Sequence, residues 1–353
     1  MDLIISHIKP KQNIVTKILF FPQFVHTLFK SKSNHQIIDI LTKKRKLIYI
    51  STEFQEVLFM SDYCTICPRH CNAERNTDIG KGFCKMRNNP VVARISKHMW
   101  EEPCISGTNG SGTVFFSGCV MKCVFCQNYK ISAENFGKAL TPLQLADCYK
   151  KLEDMGVHNI NLVNPTHFVP SIIESLDIYK PKIPVVYNCG GYENIETLKL
   201  LKGYIDIYLP DFKYATNEIA KKYSNAPNYP QTALQAIGEM LNQQPENIYN
   251  DNGIMQKGVI VRHLVLPSNT KNSIVVLDLL NDNFGNEITL SLMSQYTPCG
   301  IAEQYPEINR KITKREYQKV LTHLEDSGFD GFAQELSSAT VNYIPDFNLQ
   351  GLD

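Results

Sequence analysis

Three cysteines in one short loop are the residues of this chain best suited to chemistry. Cys119, Cys123 and Cys126 have the spacing C-x3-C-x2-C. Three thiolates on one tight loop suit an iron–sulfur cube, whose fourth iron is then left without a protein ligand. An open iron can bind a substrate, as an open position marks a catalytic zinc site. A complete zinc site needs a fourth ligand, and the nearest following histidine is His158. We therefore predict a [4Fe–4S] cluster here, rather than zinc or free thiols.

A second set of cysteines precedes the first. Cys64, Cys67, Cys71 and Cys84 have the spacing C-x2-C-x3-C-x12-C. Four ligands at this spacing can close around one metal site, which would help a short segment with little core of its own to fold. The spacing does not choose between a second [4Fe–4S] cluster, a zinc ion and unmetallated thiols. His70 could replace one ligand, although four thiols make it unnecessary.

The other cysteines and the composition narrow the class of protein. Cys104, Cys148, Cys189 and Cys299 lie in apolar or turn-like contexts and are interpreted as small buried hydrophobes. The total of 11 cysteines is odd and no clear secretory signal is visible, so we expect a reducing, cytoplasmic compartment. A net charge of +1 argues against a nucleic-acid partner. No uncharged apolar run reaches the roughly 18 residues of a membrane span.

Charge divides the chain into unlike parts. Residues 1–59 contain nine Lys/Arg and four Asp/Glu, a net +5, which leaves −4 for residues 60–353. This basic N-terminal extension could be a poorly ordered arm, a targeting presequence or an artefact of the start site, because Met60 would also make a plausible start. We predict a Cys-rich segment over residues 60–105, which binds metal, and a catalytic core over residues 106–345.

The core alternates β-rich runs with amphipathic stretches, which predicts an α/β fold. The predicted strands are GTVFFSG, NINLVNP, IPVVYN, IDIYLPDFKY, GVIVRHLVLP and ITLSLMSQY. The predicted helices span Thr141–Gly156, with Thr141 as N-cap and Pro142 at N1, and lie near 170–179, 195–201, 231–241, 273–280 and 314–327. Six strand–helix units imply a parallel sheet that forms an open, partial (β/α)6 TIM-like barrel. The chemistry of such sheets lies at the carboxyl ends of the strands.

The cysteine loop, with Phe125 before its last cysteine, resembles the radical S-adenosylmethionine (SAM) superfamily. The stretches WEEPCISGTNGSGTVFFSGC, CVFCQNYKIS, NPTHF, YNCGGYE, DIYLPDFKY, VRHLVLP and SLMSQY are similar to its pyruvate formate-lyase-activating-enzyme-like branch. The resemblance implies that Cys119, Cys123 and Cys126 hold the [4Fe–4S] cluster and that its open iron chelates SAM. It also implies reductive cleavage of SAM to a 5′-deoxyadenosyl radical, which abstracts a hydrogen atom from the substrate.

Cations at two strand ends are candidate ligands of the SAM carboxylate. Lys213 ends the strand IDIYLPDFKY, and related activating enzymes use a lysine in such a D-x-K motif in this way. Arg262 is the second candidate. Because successive strand residues face opposite ways, only one of Arg262 and His263 can point into the barrel. His263 is therefore either a polar contact of SAM or a structural histidine.

The resemblance leaves two further contacts of SAM open. Some relatives hold a monovalent cation beside the SAM carboxylate, and Asn188 and Asp211 occupy the matching strand ends. Many members have a Gly-Gly-Glu-type sequence after the second strand, which binds the SAM amino group. This chain reads Asn164-Pro-Thr166-His there, so Thr166 or Asn164 is expected to accept that hydrogen bond.

Three functions remain open from the sequence. The first is a radical SAM enzyme that activates a glycyl-radical protein by abstracting a glycine Cα hydrogen. The second is a radical SAM enzyme that acts on a small metabolite or another macromolecule. The third is a non-catalytic iron–sulfur or zinc protein that binds a partner. Either enzyme would need an external one-electron donor such as flavodoxin or ferredoxin, because the sequence shows no flavin- or nucleotide-binding fingerprint.

Overall fold

The computed structural model describes residues 5–8, 64–76, 79–338 and 345–352. Most of the predicted N-terminal extension, and the possible start at Met60, therefore lie outside the described residues. Residues 5–8 are the exception, because they form a strand that pairs with the far edge of the sheet. The boundary predicted between residues 105 and 106 stays a prediction.

One mixed sheet organises the described residues. Its strands are β1 (Ile5–Ile8), β2 (Val91–His98), β3 (Ser111–Phe116), β4 (Lys138–Ala139), β5 (Ile160–Val163), β6 (Val185–Cys189), β7 (Ile207–Pro210), β8 (Ile248–Tyr249), β9 (Met255–Leu264), β10 (Thr289–Met293) and β11 (Gly331–Gln334). The order is β1-β11-β10-β9-β7-β6-β5-β3-β2-β4, and β8 pairs with β9. Strands β3, β5, β6, β7, β9, β10 and β11 are parallel neighbours. Within the described residues no ladder joins β1 to β4, so the barrel is open.

The helices follow the strands as the sequence predicts. They are α1 (Pro103–Ser106), α2 (Tyr129–Ser132), α3 (Pro142–Asp154), α4 (Val169–Ile178), α5 (Ile195–Leu200), α6 (Asn217–Ser224), α7 (Tyr229–Gln243), α8 (Thr270–Phe284) and α9 (Lys314–Ser327). Helix α3 begins with a capping box, in which the Thr141 side chain accepts from Gln144 N and the Gln144 side chain accepts from Thr141 N. The partial α/β barrel with its six predicted strands is confirmed. The structure adds further elements, namely β1, β2, β4, β8, β11, α1, α2 and α6.

An apolar plug closes the amino-terminal end of the barrel. Cys104 and Ile105 of α1 belong to one buried cluster with side chains that point inward from the strands. The strand members of that cluster are Val186, Ile207, Leu209, Met255 and Ile260. Side chains alternate along a strand, so Tyr187 and Tyr208 face the helices instead. The plug fills the barrel interior between α1 and these strands.

The carboxyl-terminal residues cover an exposed sheet edge. Beyond its short ladder with β4, strand β2 receives a hydrogen bond at Ala93 O from Leu349 N and donates one from Ile95 N to Gln350 O. Lys130, next to the cysteine loop, donates to Phe347 O at 2.7 Å. This coverage satisfies backbone groups that an open edge would expose. Among the described residues, no helix is both long and apolar enough to cross a bilayer.

Candidate active site

A cavity of about 200 Å³ opens at the carboxyl ends of the parallel strands. The three cysteines of the first set line one side of it, together with Met121 and Phe125. Polar strand-end residues line the floor, namely Asn164, Asn188, Asp211, Lys213 and Arg262. Gln127, Asn128, Gln295 and Thr297 line the mouth. The fold therefore brings together residues that lie far apart in the sequence.

The cysteine loop follows β3 and turns sharply. Gly118 has a φ of +78° and Lys122 a φ of +54°, so the backbone reverses on both sides of Cys119. Two backbone amides, Met121 N and Lys122 N, point at Cys119 Sγ from 3.3 and 3.5 Å. Ser224 Oγ of α6 donates to Cys123 Sγ at 2.9 Å. These donors favour thiolate ligands, because a hydrogen bond to a charged form stabilises it.

Burial favours the neutral thiols of Cys119 and Cys126 unless a metal binds. Loss of water, together with the neighbouring Cys123 thiol, raises the pKa of Cys119 to about 11 and the pKa of Cys126 to about 12. Coordination by a metal reverses this, because a bound thiol is deprotonated. The loop therefore has the chemistry of a metal receptor, not of an exposed nucleophile.

Arg262 is the centre of the polar floor. Its guanidinium donates from Nε to Asp211 Oδ1 at 2.9 Å, from Nη1 to Glu101 Oε2 at 3.1 Å and from Nη2 to Asn188 Oδ1 at 2.6 Å. Lys213 Nζ bonds the other oxygen of Asp211. Burial works against the charge of Arg262, but the surrounding carboxylates raise its pKa above the ordinary value. Arg262 and Lys213 in turn outweigh burial and lower the pKa of Asp211.

Two acids in this layer were missed from the sequence. Glu101 and Glu102 precede α1 and lie inside the barrel, where burial raises the pKa of each carboxyl despite the opposing charge of Arg262. Glu101 also accepts a hydrogen bond from Asn161 Nδ2 at 3.1 Å. The signal available was a pair of adjacent acids in the stretch WEEPC, just before a helix-starting proline. Only the tertiary fold shows that they face Arg262.

His263 and Thr166 lie away from the cavity. His263 is fully buried and contacts Phe212 O and Ser273 Oγ at 2.7 and 2.9 Å. This placement fits the structural alternative, since Arg262 takes the inward position of the pair. Thr166 donates to Glu193 Oε1 at 2.7 Å. The Thr166 hydroxyl therefore contacts a buried acid, whereas the other candidate, Asn164, lines the cavity.

Glu193 is a buried acid beneath the loop that follows β6. Burial raises its pKa to about 7, against hydrogen bonds from Thr166 Oγ1 and Tyr187 Oη that favour the carboxylate.

Gly191 in the same loop has a φ of +77° and approaches the Asp211 carbonyl closely. The loop between β6 and α5 therefore fixes Asp211 from one side.

The second set of cysteines lies in the Cys-rich segment, beside the first set. Cys67 and Cys84 are buried, Cys64 is partly exposed and Cys71 is exposed. Among the described residues, no three His, Cys, Asp or Glu side chains are arranged to hold a single metal ion. A [4Fe–4S] cluster needs a wider arrangement than a single ion, because each cysteine binds a different iron of the cluster. The three thiols that line the cavity fit a cube with one open iron.

Comparisons with known proteins identify the family of this chain. A family model described as the Radical SAM superfamily matches residues 113–279. The uncharacterized protein MJ0674 of Methanocaldococcus jannaschii is 31% identical over 309 residues, which cover 84% of each chain. The chain belongs to the radical SAM superfamily, whose cofactors are a [4Fe–4S] cluster and SAM.

Two solved structures align with part of this chain. Streptococcus suis SuiB bound to S-adenosylmethionine is 14% identical, with a TM-score of 0.44, over 63% of this chain and 49% of that chain. A domain of pyruvate-formate lyase-activating enzyme from Bacteroides vulgatus is 14% identical, with a TM-score of 0.32, over 55% of this chain and 91% of that chain. This chain thus spans about half of SuiB.

The contact between Gly191 and Asp211 predicts a sensitive position. A Cβ at residue 191 would stand 2.1 Å from Asp211 O, so Gly191→Ala must move the floor of the site. Gly203→Ala is the matched control, because Gly203 also has a positive φ, +88°, but has nothing within 4 Å. Both variants pay about 1–2 kcal/mol for the left-handed backbone. We expect a clearly larger loss of unfolding free energy, and weaker SAM binding by calorimetry, in Gly191→Ala alone. Equal losses would contradict the steric contact.

The raised pKa of Glu193 predicts a pH dependence of stability. The folded carboxyl, with a pKa near 7 against an ordinary 4.5, binds a proton that the unfolded chain has lost. Its ionisation therefore destabilises the fold as the pH rises from 4.5 through 7, by on the order of 3 kcal/mol. Glu193→Gln mimics the neutral acid, so the variant should gain stability relative to the wild type between about pH 5 and pH 8. Denaturant unfolding of the wild type and the variant at pH 5 and at pH 8 measures the two free energies of unfolding. The same change with pH in both proteins would refute the prediction.

Proposed function

We propose that this radical SAM enzyme abstracts a Cα hydrogen from a glycine in a partner protein. The observation that carries the proposal is a single cavity that joins the three cluster thiols, a buried floor of paired charges and a neutral, amide-lined mouth. The floor suits a charged cofactor and the mouth suits an uncharged peptide backbone. The resemblance of the sequence to glycyl-radical activating enzymes supports the same substrate class.

The floor residues orient SAM in this proposal. Cys119, Cys123 and Cys126 hold the cluster, which when bound supplies the electron that cleaves SAM to methionine and a 5′-deoxyadenosyl radical. Lys213 Nζ is positioned to contact the SAM carboxylate, and Asp211 keeps that ammonium in place. Arg262 holds Asp211 and Asn188 in register from the next strand along the sheet. Asn164, whose amide donates to Gly118 O, presents its oxygen as an acceptor for the SAM amino group.

Two polar atoms at the mouth support a peptide substrate. Asn128 Oδ1 and Thr297 Oγ1 are buried and have no hydrogen-bond partner in the structure. Both residues line the cavity, Asn128 after Cys126 and Thr297 after β10. An unpaired buried polar atom costs about 1–3 kcal/mol, which a ligand can recover by pairing with it. A peptide N–H suits the Asn128 oxygen and a peptide carbonyl suits the Thr297 hydroxyl.

Removal of the Lys213 charge should weaken the binding of SAM. Lys213→Gln deletes the ammonium but leaves Asp211 paired with Arg262. A hydrogen bond to a charged group contributes about 1.5–3 kcal/mol, so the Kd for SAM should rise about 10- to 150-fold. The matched control is Lys202→Gln, at an exposed lysine after α5. Calorimetry on the anaerobic protein measures both, and an unchanged Kd in Lys213→Gln would exclude the contact.

Isotope transfer tests the substrate class. Cells that naturally express the chain are grown with α-deuterated glycine, and their extract is separated into a protein fraction and a dialysable fraction. Each fraction is incubated anaerobically with the enzyme, SAM and dithionite. We expect deuterium in 5′-deoxyadenosine with the protein fraction, and a glycyl radical detectable by electron paramagnetic resonance (EPR).

The controls separate this function from its alternatives. Proteins labelled with α-deuterated alanine should transfer no deuterium, and Cys126→Ala should abolish the reaction. Transfer from the dialysable fraction alone would replace the proposal by a small-metabolite substrate. Asn128→Ala should reduce transfer from protein about tenfold, because one backbone hydrogen bond is lost. Unchanged transfer in Asn128→Ala would remove the mouth contact from the proposal.

A further inference from the structure

The four cysteines of the Cys-rich segment converge although they span two loops. Cys64 N donates to Ala73 O at 3.0 Å and Asn72 N donates to Cys64 O at 3.1 Å, so the chain folds back on itself around Cys71. The second loop reaches the same place, because a Cβ at Gly82 would lie 3.1 Å from Cys71 Sγ. Cys84 ends that loop and is buried.

The backbone around these cysteines has unusual dihedral angles. His70, Asn72 and Lys85 have positive φ values of 40°, 46° and 59°, and each is adjacent to a cysteine of the set. Left-handed non-glycine residues are costly and concentrate at functional sites. The segment therefore carries strain at the positions that aim its thiols, which is typical of a receptor that a bound group stabilises.

The Cys-rich segment packs directly on the loop of the first set. Arg69 Nε donates to Val120 O, between Cys119 and Cys123. Met86 fills the space over Gly118, where a Cβ would lie 2.4 Å from Met86 Cγ. Both contacts join a residue close to one cysteine set to a residue close to the other.

The Phe83 ring lies between the two cysteine sets. The Arg69 guanidinium carbon is 3.5 Å from the centroid of the ring, and Lys122 Nζ is 5.1 Å from it. Phe83 is the residue before Cys84, and Lys122 is the residue before Cys123. A path of protein atoms in contact therefore leads from one thiol set to the other.

We propose that Cys64, Cys67, Cys71 and Cys84 bind a second [4Fe–4S] cluster, which relays electrons to the catalytic cluster. A reduced flavodoxin or ferredoxin gives one electron to the second cluster, and the donor is oxidised. The second cluster then returns to its oxidised state as the catalytic cluster is reduced by that one electron. The inference rests on the radical SAM chemistry of the family, and it does not depend on the substrate.

Exposure and charge fit a relay better than a structural zinc ion. Cys71 faces solvent, whereas Cys67 and Cys84 are buried. Between Cys64 and Pro90 the sequence holds five Lys/Arg and two Asp/Glu, which suits an acidic donor protein. A zinc ion would stabilise the segment but could not carry an electron, since zinc has no redox chemistry in proteins. With zinc at this site, the contact between the Cys-rich segment and the loop of the first set would play no part in electron transfer.

Metal analysis tests the site without any substrate. The full chain is reconstituted anaerobically, and iron, sulfide and zinc are counted. We expect about eight irons in the wild type and about four in the triple variant Cys119→Ala/Cys123→Ala/Cys126→Ala, with an EPR signal on reduction. About four irons with one zinc, or four irons with no further metal, in the wild type would overturn the proposal. The triple variant leaves the second site untouched, so the result does not depend on whether second-site variants fold.

Reduction kinetics test the relay. The double variant Cys64→Ser/Cys71→Ser and the control Cys148→Ser are mixed with reduced flavodoxin and frozen at intervals. The catalytic cluster is recognised by the change in its EPR signal when SAM is added. We expect its reduction to be about tenfold slower or more in the double variant, and near the wild-type rate with dithionite, a small reductant that needs no relay. Equal rates with flavodoxin would overturn the relay and leave the proposed substrate unaffected.

Discussion

The hydrogen-bonded ion network around Arg262 is the constraint on which the site depends. A guanidinium inside a barrel loses its water, and only well-placed acceptors offset that cost. Asp211, Glu101 and Asn188 supply them from three different parts of the chain. The network therefore ties the strand ends to the segment before α1. Without the guanidinium, the Glu101 carboxylate would lose the cation that pairs with it.

The network also divides the barrel interior into layers. Below it lies the apolar plug of Cys104 and Ile105, and above it lies the cavity that Cys119, Cys123 and Cys126 line. The apolar plug and the paired charges fill the barrel interior below the cavity. Water exclusion matters to a radical enzyme, because a reactive intermediate is protected by the cavity that holds it. The amide-lined mouth is then the natural side for a substrate to approach.

Local signals explain which elements the sequence predicts. The six central strands are apolar runs bounded by turn residues, and helices such as α3 and α9 carry their own caps. Strand β2 was missed because Arg94 and Lys97 interrupt its apolar run at the edge of the sheet. Strand β11 (Gly331–Gln334) was missed because its four residues, GFAQ, include no β-branched side chain. Both gain their stability from neighbours that are distant in the chain.

The sequence by itself determined that three thiols share one short loop, because C-x3-C-x2-C spacing places them within eight residues of each other. The sequence also determined the order of strands and helices. The thiol spacing and the strand and helix patterns both depend on residues that are close in the sequence. Only the tertiary structure decided that Arg262 faces the cavity while His263 faces the helices, that Glu101 completes the charge layer, and that Asn164 lines the site while Thr166 pairs with Glu193. Each of these depends on the direction of a side chain and on partners tens of residues away. Spacing carries no information about such partners, because burial and hydrogen bonding select them only after the sheet has formed.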